Sequence, residues 1–206
     1  MSRSRPRAPR EPIEVRRQQV LDAARALYLA GGFQAVNMEA IAREIGVSKP
    51  VVYAAYPDVE AVIAALVDRE YTSIHKAMSK IADQARSTDD GQQALLTWMM
   101  GMFQLIQSEH SVWNVMLLQV NDAPAYLRER VNAGRATLRE LLRDAVRIDH
   151  NAPTWFGTDD AELAAHAIVA LAEHCIRLML QDPTQFPPER VMSFGLAFAS
   201  HLTGGR

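Results

Sequence analysis

The chain has 206 residues, of which 49% are apolar and 22% are charged, and this is enough for one or two small domains with buried cores. We expect no membrane-spanning segment, because charged residues interrupt the apolar runs every few positions. We also expect no secretory signal, because no apolar stretch follows the Arg- and Pro-rich start. The single cysteine, Cys175, excludes an intrachain disulfide and fits the reducing cytoplasm.

The charge is unevenly distributed along the chain. Residues 1–56 carry nine Lys or Arg and five Asp or Glu, a net charge of +4. Residues 57–206 carry thirteen and nineteen, a net charge of −6. A basic first part on an acidic body is typical of a DNA-binding module joined to a domain that does not touch DNA, although chance asymmetry gives the same totals.

Residues 1–12 are predicted to form a disordered basic arm. Four arginines alternate there with prolines, and such a segment has no apolar surface to bury. The arm either follows DNA phosphates or enters the minor groove, or it is simply a solvated tail. Both interpretations stay open.

A helical pattern runs from Ile13 to Ala30, and two short helices joined by a tight turn are predicted between Asn37 and Tyr56. Asn37 is expected to cap the first of these helices and Ser48 the second. Gly46 can end the first helix, because glycine adopts the left-handed conformation without steric cost. The pattern predicts a helix-turn-helix, whose second helix enters the DNA major groove, or else an ordinary helical hairpin in an all-α core.

The stretch from Arg16 to about Val67 resembles the DNA-binding domain of the TetR family of repressors. The matching positions are Ala24, Gly32-Phe33, Ile41-Ala42, Gly46-Val47-Ser48 and Tyr53. The resemblance implies an all-α fold of about nine helices, with a helix-turn-helix DNA-binding domain at residues 13–58 and a helical effector-binding and dimerisation domain at residues 59–206. The second domain matches the family only in length and helical character.

The predicted DNA-binding residues lie in and beside the second helix of the motif. They are Asn37, Ser48, Lys49, Pro50, Val51, Tyr53, Ala54 and Tyr56. Lysine at the start of this helix can reach a guanine edge or a phosphate, and small apolar side chains can contact thymine methyls. The resemblance implies that Tyr53 donates a hydrogen bond to a phosphate.

Four positions depart from the family's pattern in this region. Pro50 stands in place of the common glycine, and Ala55-Tyr56 stands in place of the common His-Phe pair. Val59 replaces the lysine that usually opens the next helix, which removes one expected phosphate contact. The second helix of the motif is the recognition helix, and it has few side chains that can form hydrogen bonds to bases. Bridging water or DNA shape is therefore expected to contribute to sequence specificity.

Helical patterns fill the remainder of the chain. The predicted helices cover about 59–85, 92–106, 110–120, 125–148, 159–180 and the residues from Pro187 onward, with a loop at 149–158. The helix at 92–106 is apolar on nearly all sides, so we expect it to be central. By the resemblance, the last two helices form a four-helix bundle with those of a second copy; the alternative is core packing within one chain.

Aromatic and methionine side chains cluster on two neighbouring predicted helices. The cluster consists of Trp98, Met99, Met102, Phe103, Trp113, Met116 and Leu117. Such a stripe is by default core, but adaptable linings also suit apolar ligands, and the resemblance favours an effector pocket here. His174 and Arg177, with His110 nearby, are the candidates for holding a polar end. The predicted effector is mainly apolar or aromatic, with one polar or anionic group.

One helical face, on the helix at 159–180, carries Glu162, His166 and His174 beside Cys175, which is one possible metal site. Ligands spread over two turns fit a single ion poorly, so we predict no metal and favour a polar part of the dimer interface. Glu173 and Arg177 are expected to form an ion pair at i,i+4 spacing.

No nucleophile motif, phosphate-binding glycine loop or paired-cysteine motif occurs, so we predict neither an enzyme nor a cofactor. We predict a cytoplasmic, ligand-responsive repressor that binds a palindromic DNA operator as a homodimer and is released by a small, mainly apolar effector. The alternative is a helical ligand-binding or scaffold protein whose helix-turn-helix is incidental. DNA binding with a steep salt dependence would distinguish the two.

Overall fold

The computed structural model describes residues 11–87, 91–109, 112–113, 117, 125–147 and 160–203. Within these residues the fold is all-α, as predicted, and contains eight α-helices and one short 3-10 helix at Phe33–Ala35. The α-helices are α1 (Ile13–Gly31), α2 (Met38–Glu44), α3 (Lys49–Ala55), α4 (Val59–Ala85), α5 (Gly91–Ser108), α6 (Ala125–Arg147), α7 (Ala161–Gln181) and α8 (Pro188–Thr203).

These bounds agree with the predicted helices to within one or two residues at most ends. The predicted helix at 110–120 lies mostly outside the described residues, with Val112 and Trp113 helical inside it. The basic arm up to Arg10 and the loop at 149–158 also lie outside them. The chain divides into two compact units, Met1–Leu66 and Val67–Arg206.

The first unit is built from α1, α2, α3 and the start of α4. Val20, Ala24, Ile41 and Val52 have no exposed surface and form the core between the first three helices. Helices as short as α2 and α3 are not stable in isolation, so this shared core holds them together. The unit therefore depends on a few completely buried aliphatic side chains.

Local signals set the ends of these helices. The Asn37 side chain accepts a hydrogen bond from the Ala40 N–H at 2.9 Å, which confirms the predicted cap of α2. Gly46 follows α2 with φ of 69°, the left-handed conformation that glycine adopts freely. Asp58 caps α4 in the same way as Asn37, accepting from the Ala61 N–H at 2.8 Å.

The predicted side-chain cap of α3 by Ser48 is wrong. Ser48 holds the capping position, but its side chain accepts no hydrogen bond from the helix. A capping side chain accepts from the second or third residue of a helix, and the second residue here is Pro50, which has no N–H. The third residue, Val51, donates its N–H to the backbone carbonyl of Ser48 at 3.0 Å instead.

The second unit contains the rest of α4 and the helices α5 to α8. Helix α6 packs along α7, and its side chains Leu127 and Val131 are buried. Gly134 on α6 allows a close approach to α4, since a Cβ atom there would lie 2.4 Å from the ring of Tyr71. Glycine is needed at this position for space, and not for an unusual backbone conformation.

The fifth helix is predicted to be central, but none of its described side chains is fully buried. Every described side chain of α5 is exposed or half-buried, and Leu96 and Met100 are clearly exposed. Several apolar side chains of α5 border a cavity and are therefore not packed against other side chains. A helix that is apolar on all sides is thus not always a fully buried one.

The expectation that no helix could cross a membrane also needs correction. The helix Glu162–Gln181 is long and apolar enough by length and composition, with a mean hydropathy of 1.5. Within the described structure only 22% of its most apolar window is buried. A helix of this composition is often a core or interface helix of a protein outside membranes, so the observation raises the question of what covers it.

Candidate nucleic-acid interface and effector cavity

Helix α3 presents a small, exposed face next to the core of the first unit. Val52 and Ala55 are buried and attach the helix to its neighbours. On the outer side Lys49, Pro50 and Ala54 are exposed, and Tyr53 is 51% exposed, which is unusual for an aromatic side chain. An exposed tyrosine beside a lysine suits contact with a polar partner.

The other predicted contact residues surround this face. Val51 is half-buried, as is Tyr56 at the end of α3, and Ser48 is exposed at its start. Asn37 is exposed, but its side-chain oxygen is already occupied by the cap of α2. Ala55 is buried because it lies three residues after Val52 on the inner face.

Lys49 has a partner across the turn. Its Nζ lies 2.6 Å from Oε2 of Glu39, so the first turn of α3 is joined to the first turn of α2. The hydrogen bond from Lys49, and then its charge, lower the pKa of the Glu39 carboxyl below its usual value. Both side chains are exposed, so the ion pair adds little stability and leaves both groups accessible to solvent.

Two arginines of α1 form hydrogen bonds or ion pairs within the first unit that the sequence did not predict. Arg17 Nε donates to the Ala55 carbonyl at 3.4 Å, which satisfies an oxygen at the end of α3. Arg16 pairs with Glu11 at 2.9 Å and donates to Gln19 at 2.6 Å. Their role in the structure is therefore internal support of α1 and α3, whatever else they contact.

A cavity of about 250 Å³ lies in the second unit. Its lining is almost entirely aliphatic, aromatic and sulfur-containing, and comes from α4, α5, α6, α7, α8 and the segment around Trp113. The described lining residues are Tyr71, Met78, Trp98, Met99, Met102, Phe103, Ile106, Trp113, Leu117, Leu138, Ile168, Val169, Leu171, Ala172, Glu173, Cys175, Ile176, Met179, Val191, Met192, Phe194, Gly195 and Phe198.

Most of the predicted apolar cluster lies around this cavity. Its members there are Trp98, Met99, Met102, Phe103, Trp113 and Leu117. Met116 and His110 lie outside the described residues. The sequence did not predict that side chains of α7 and α8 line the cavity. The resemblance assigned those helices to the dimer interface, and an apolar stripe does not indicate whether part of it faces a cavity.

His174 and Arg177 do not line the cavity, so the structure corrects the predicted polar end. His174 follows Glu173 directly, which places it about 100° further around α7, and its side chain is exposed. The predicted ion pair of Glu173 with Arg177 is also wrong. Glu173 accepts instead from Nε of Arg135 on α6 at 2.8 Å.

Tyr71 and Glu173 supply the polar edge of the cavity. Burial raises the pKa of Tyr71 to about 12, with a lowering effect of the Arg135 charge and a raising effect of the Glu173 charge. The Tyr71 hydroxyl therefore keeps its proton at physiological pH. Burial also raises the pKa of the Cys175 thiol on the same lining.

The proposed metal ligands are not assembled into a site within the described structure, where no three His, Cys, Asp or Glu side chains come close enough to share an ion. Glu162 and His166 border a separate, polar cavity of about 190 Å³ that also has Arg139, Glu140 and Arg143 in its lining. His174 and Cys175 are absent from that lining.

The sequence and the fold are similar to those of known regulators. Residues 20–66 match the family described as "Bacterial regulatory proteins, tetR family". The HTH-type transcriptional activator FasR of Mycolicibacterium smegmatis is 27% identical over 194 residues, which are 94% of this chain and 85% of FasR. The curated relatives are thus matched over most of their length.

Two solved structures share the fold over nearly the whole chain. A transcriptional regulator from Pseudomonas aeruginosa has a TM-score of 0.77 at 21% identity, covering 95% of this chain and 94% of that one. The transcriptional regulator FadR from Bacillus subtilis, in complex with stearoyl-CoA, has a TM-score of 0.72 at 15% identity, covering 92% and 98%. Residues 20–66 therefore carry a helix-turn-helix that matches the DNA-binding domain of the TetR family, and nearly the whole chain shares the fold of transcriptional regulators.

Proposed function

We propose that this protein is a ligand-responsive repressor that binds a palindromic operator as a homodimer and releases it when a small, mainly apolar effector enters the cavity of the second unit. The observation that carries the proposal is the coexistence of an exposed recognition helix and a separate apolar cavity in one chain. DNA binding places its site of action in the cytoplasm.

The recognition helix is α3, and its contacts are proposed from its exposed face. Lys49 at the first position leaves Glu39 and reaches a guanine edge or a phosphate, while Tyr53 donates to a phosphate. Val51 and Ala54 contact thymine methyls. Two such helices related by a twofold axis would occupy successive major grooves about 34–36 Å apart.

The homodimer is proposed to form through α7 and α8. Helix α7 carries an unburied stripe of Leu163, Ala167 and Ala170, and Leu163 is 65% exposed. The small alanines allow a second helix to approach closely, and Phe194 on α8 adds further exposed apolar surface. A second copy of the chain would cover this surface, which supports an isologous interface.

The effector is proposed to be apolar because the cavity lining is apolar. Methionine and aromatic side chains adapt to flexible chains, and few polar groups are present to orient a sugar or nucleotide. The structure of FadR from Bacillus subtilis contains stearoyl-CoA, which supports a fatty acyl chain as one class of effector. A ligand in the cavity releases the operator only if it binds more tightly to the conformation that does not bind DNA.

Repression is the proposed direction of control, since release of an operator by a ligand is the simplest use of the two sites. FasR is by its name an activator, so the direction has to be measured in transcription. A promoter reporter with and without the protein gives the answer: lower expression in its presence supports repression, and higher expression contradicts it.

The DNA-binding part of the proposal is tested on the operator obtained by genomic footprinting. Lys49→Ala and Tyr53→Phe should each weaken binding by about 1–3 kcal/mol, Tyr53→Phe equally on all sequences and Lys49→Ala with altered base preference. Lys76→Ala removes an exposed lysine of the second unit and serves as the matched control. Unchanged affinity in both recognition-helix variants, with an intact circular dichroism spectrum, would contradict the assignment of α3.

The effector part is tested by filling the cavity. Met102→Trp should abolish the response of operator binding to fatty acyl probes while leaving operator binding itself intact. Met100→Trp places the same side chain on an exposed position of α5 outside the lining and should respond normally. A normal response of Met102→Trp would show that the effector binds elsewhere.

A further inference from the structure

The cavity has one charged group among its described lining residues, the carboxylate of Glu173. No Lys, Arg or His side chain belongs to that described lining. The cation beside it, Arg135, is engaged by Glu173, with its Nε 2.8 Å from Oε1. Of this ion pair, only the negative member belongs to the described lining, and the positive member is hydrogen-bonded to it.

We infer that the cavity selects apolar molecules whose polar end is uncharged, such as an alcohol, an amide or an ester, and discriminates against the matching free carboxylate. The inference rests on the proposed effector role of the cavity and specifies the chemistry of its ligand. Glu173 is the residue that sets this preference, and Arg135 positions it.

Two costs act against a carboxylate in this cavity. Removing a charged group from water into an apolar site is expensive unless a counter-ion or several hydrogen bonds replace the water. The carboxylate of Glu173 adds repulsion between like charges. Glu173 and Arg135 are 24% and 20% exposed in their side chains, so solvent screens part of this repulsion and the preference is moderate.

Tyr71 lies at the same edge and adds no charge. It packs against α6 at Gly134 and is buried, and its hydroxyl is protonated throughout the physiological range. A neutral hydroxyl is compatible with the oxygen of an alcohol, amide or ester. The edge as a whole is therefore polar, with Glu173 but not Arg135 among the described lining residues, and with Arg135 hydrogen-bonded to Glu173.

The test compares decanol, decanamide and decanoate, which share one chain and differ in their polar end. Their affinities for the full-length protein are measured by calorimetry, and their location by protection of Cys175 against N-ethylmaleimide. Cys175 is the only cysteine in the chain and lines the cavity, so the mass of the protein reports its modification.

The decisive comparison is between Glu173→Gln and the control Glu162→Gln on the exposed side of the same helix. Wild type should prefer decanol and decanamide over decanoate. Glu173→Gln removes the repelling charge and frees Arg135, so the ratio of decanol to decanoate affinity should fall about fivefold, the upper range for a part-exposed ion pair. Glu162→Gln should leave the ratio unchanged.

The outcomes separate this inference from the proposed function. Binding of all three probes with Cys175 protection, but with the same ratio in wild type and Glu173→Gln, would overturn the inference alone. Binding of none of the probes, or binding without Cys175 protection, would overturn the effector role of the cavity and the inference with it. A lower ratio confined to Glu173→Gln supports both.

Discussion

The two units differ in how completely the apolar side chains of particular helices are buried. In the first unit, the short helices α2 and α3 are each held by a side chain without exposed surface, Ile41 and Val52. In the second unit, the longer helix α5 has no described side chain that is fully buried, although its sequence is more apolar. The second unit leaves apolar surface around its cavity for a ligand and, as we propose, on α7 for a second copy.

This difference follows from what each unit has to do. A recognition helix must hold a fixed geometry while offering polar groups to DNA, so its inner face is closed and its outer face is exposed. A ligand-responsive unit needs apolar surface that is covered in one state and altered in another. Four substitutions test this difference between the two units.

The largest expected effect is on the exposed apolar face of the second unit. Leu163→Glu should place a charge in the proposed dimer interface and weaken operator binding about a hundredfold, since a monomer loses the avidity of two half-sites. Leu96→Glu introduces the same change on an exposed position of α5 and should bind normally. Sedimentation of wild type as a monomer at micromolar concentration would contradict the interface.

The next effect concerns close packing inside the second unit. Gly134→Ala should destabilise this unit by about 2 kcal/mol, because the added methyl group would lie 2.4 Å from the Tyr71 ring, and overpacking outweighs the better helix propensity of alanine. Denaturant unfolding followed by tryptophan emission measures it. Combined with Tyr71→Ala, the same substitution should become neutral or stabilising, and an unchanged cost would refute the steric explanation.

Gly46 offers the matched substitution in the first unit, with a different cause. A Cβ atom there would meet no atom within 4 Å, but φ is 69°. Gly46→Ala should therefore cost about 1–2 kcal/mol through backbone strain alone. Hydrogen exchange of α2 and α3 is the measurement, since the two units need not unfold together. Gly46→Asn should be milder, because asparagine tolerates this conformation better, and equal costs would argue against strain.

The smallest effect tests a single helix cap. Asn37→Ala should destabilise α2 by about 1 kcal/mol, because the Ala40 N–H loses its partner. Faster exchange of the Ala40 amide would report the loss. Asn37→Asp keeps the cap but adds a negative charge, so weaker operator binding with normal exchange would assign Asn37 a direct position near DNA. Normal binding by Asn37→Asp would leave it a structural residue only.

Sequence reasoning was most successful where structure is decided over a few residues. The cap by Asn37, the turn at Gly46 and the bounds of most helices follow from local backbone chemistry, which a linear pattern contains. It failed at Ser48 because the outcome depended on which backbone N–H was available after Pro50. The family-matching positions and the exposed face of α3 were likewise visible in the pattern.

The cavity shows the opposite case. The pattern identified Trp98, Met102 and Trp113 as apolar neighbours, but an apolar stripe is the same whether it faces core, ligand or partner. The pairing of Glu173 with Arg135 instead of Arg177 could not be predicted, since the helix rotation that brings α6 against α7 is set by packing.

The helices, the helix-turn-helix with Lys49 and Tyr53, and the resemblance to the TetR family could all be predicted from the sequence, because caps, turn glycines and 3.6-residue periodicity act between near neighbours. The apolar residues that surround the cavity, and the charged residue in its lining, became visible in the packed helices. Those properties depend on how long helices approach one another, as at Gly134 and Tyr71, and such approaches are fixed by shape complementarity across the fold and not by any one segment.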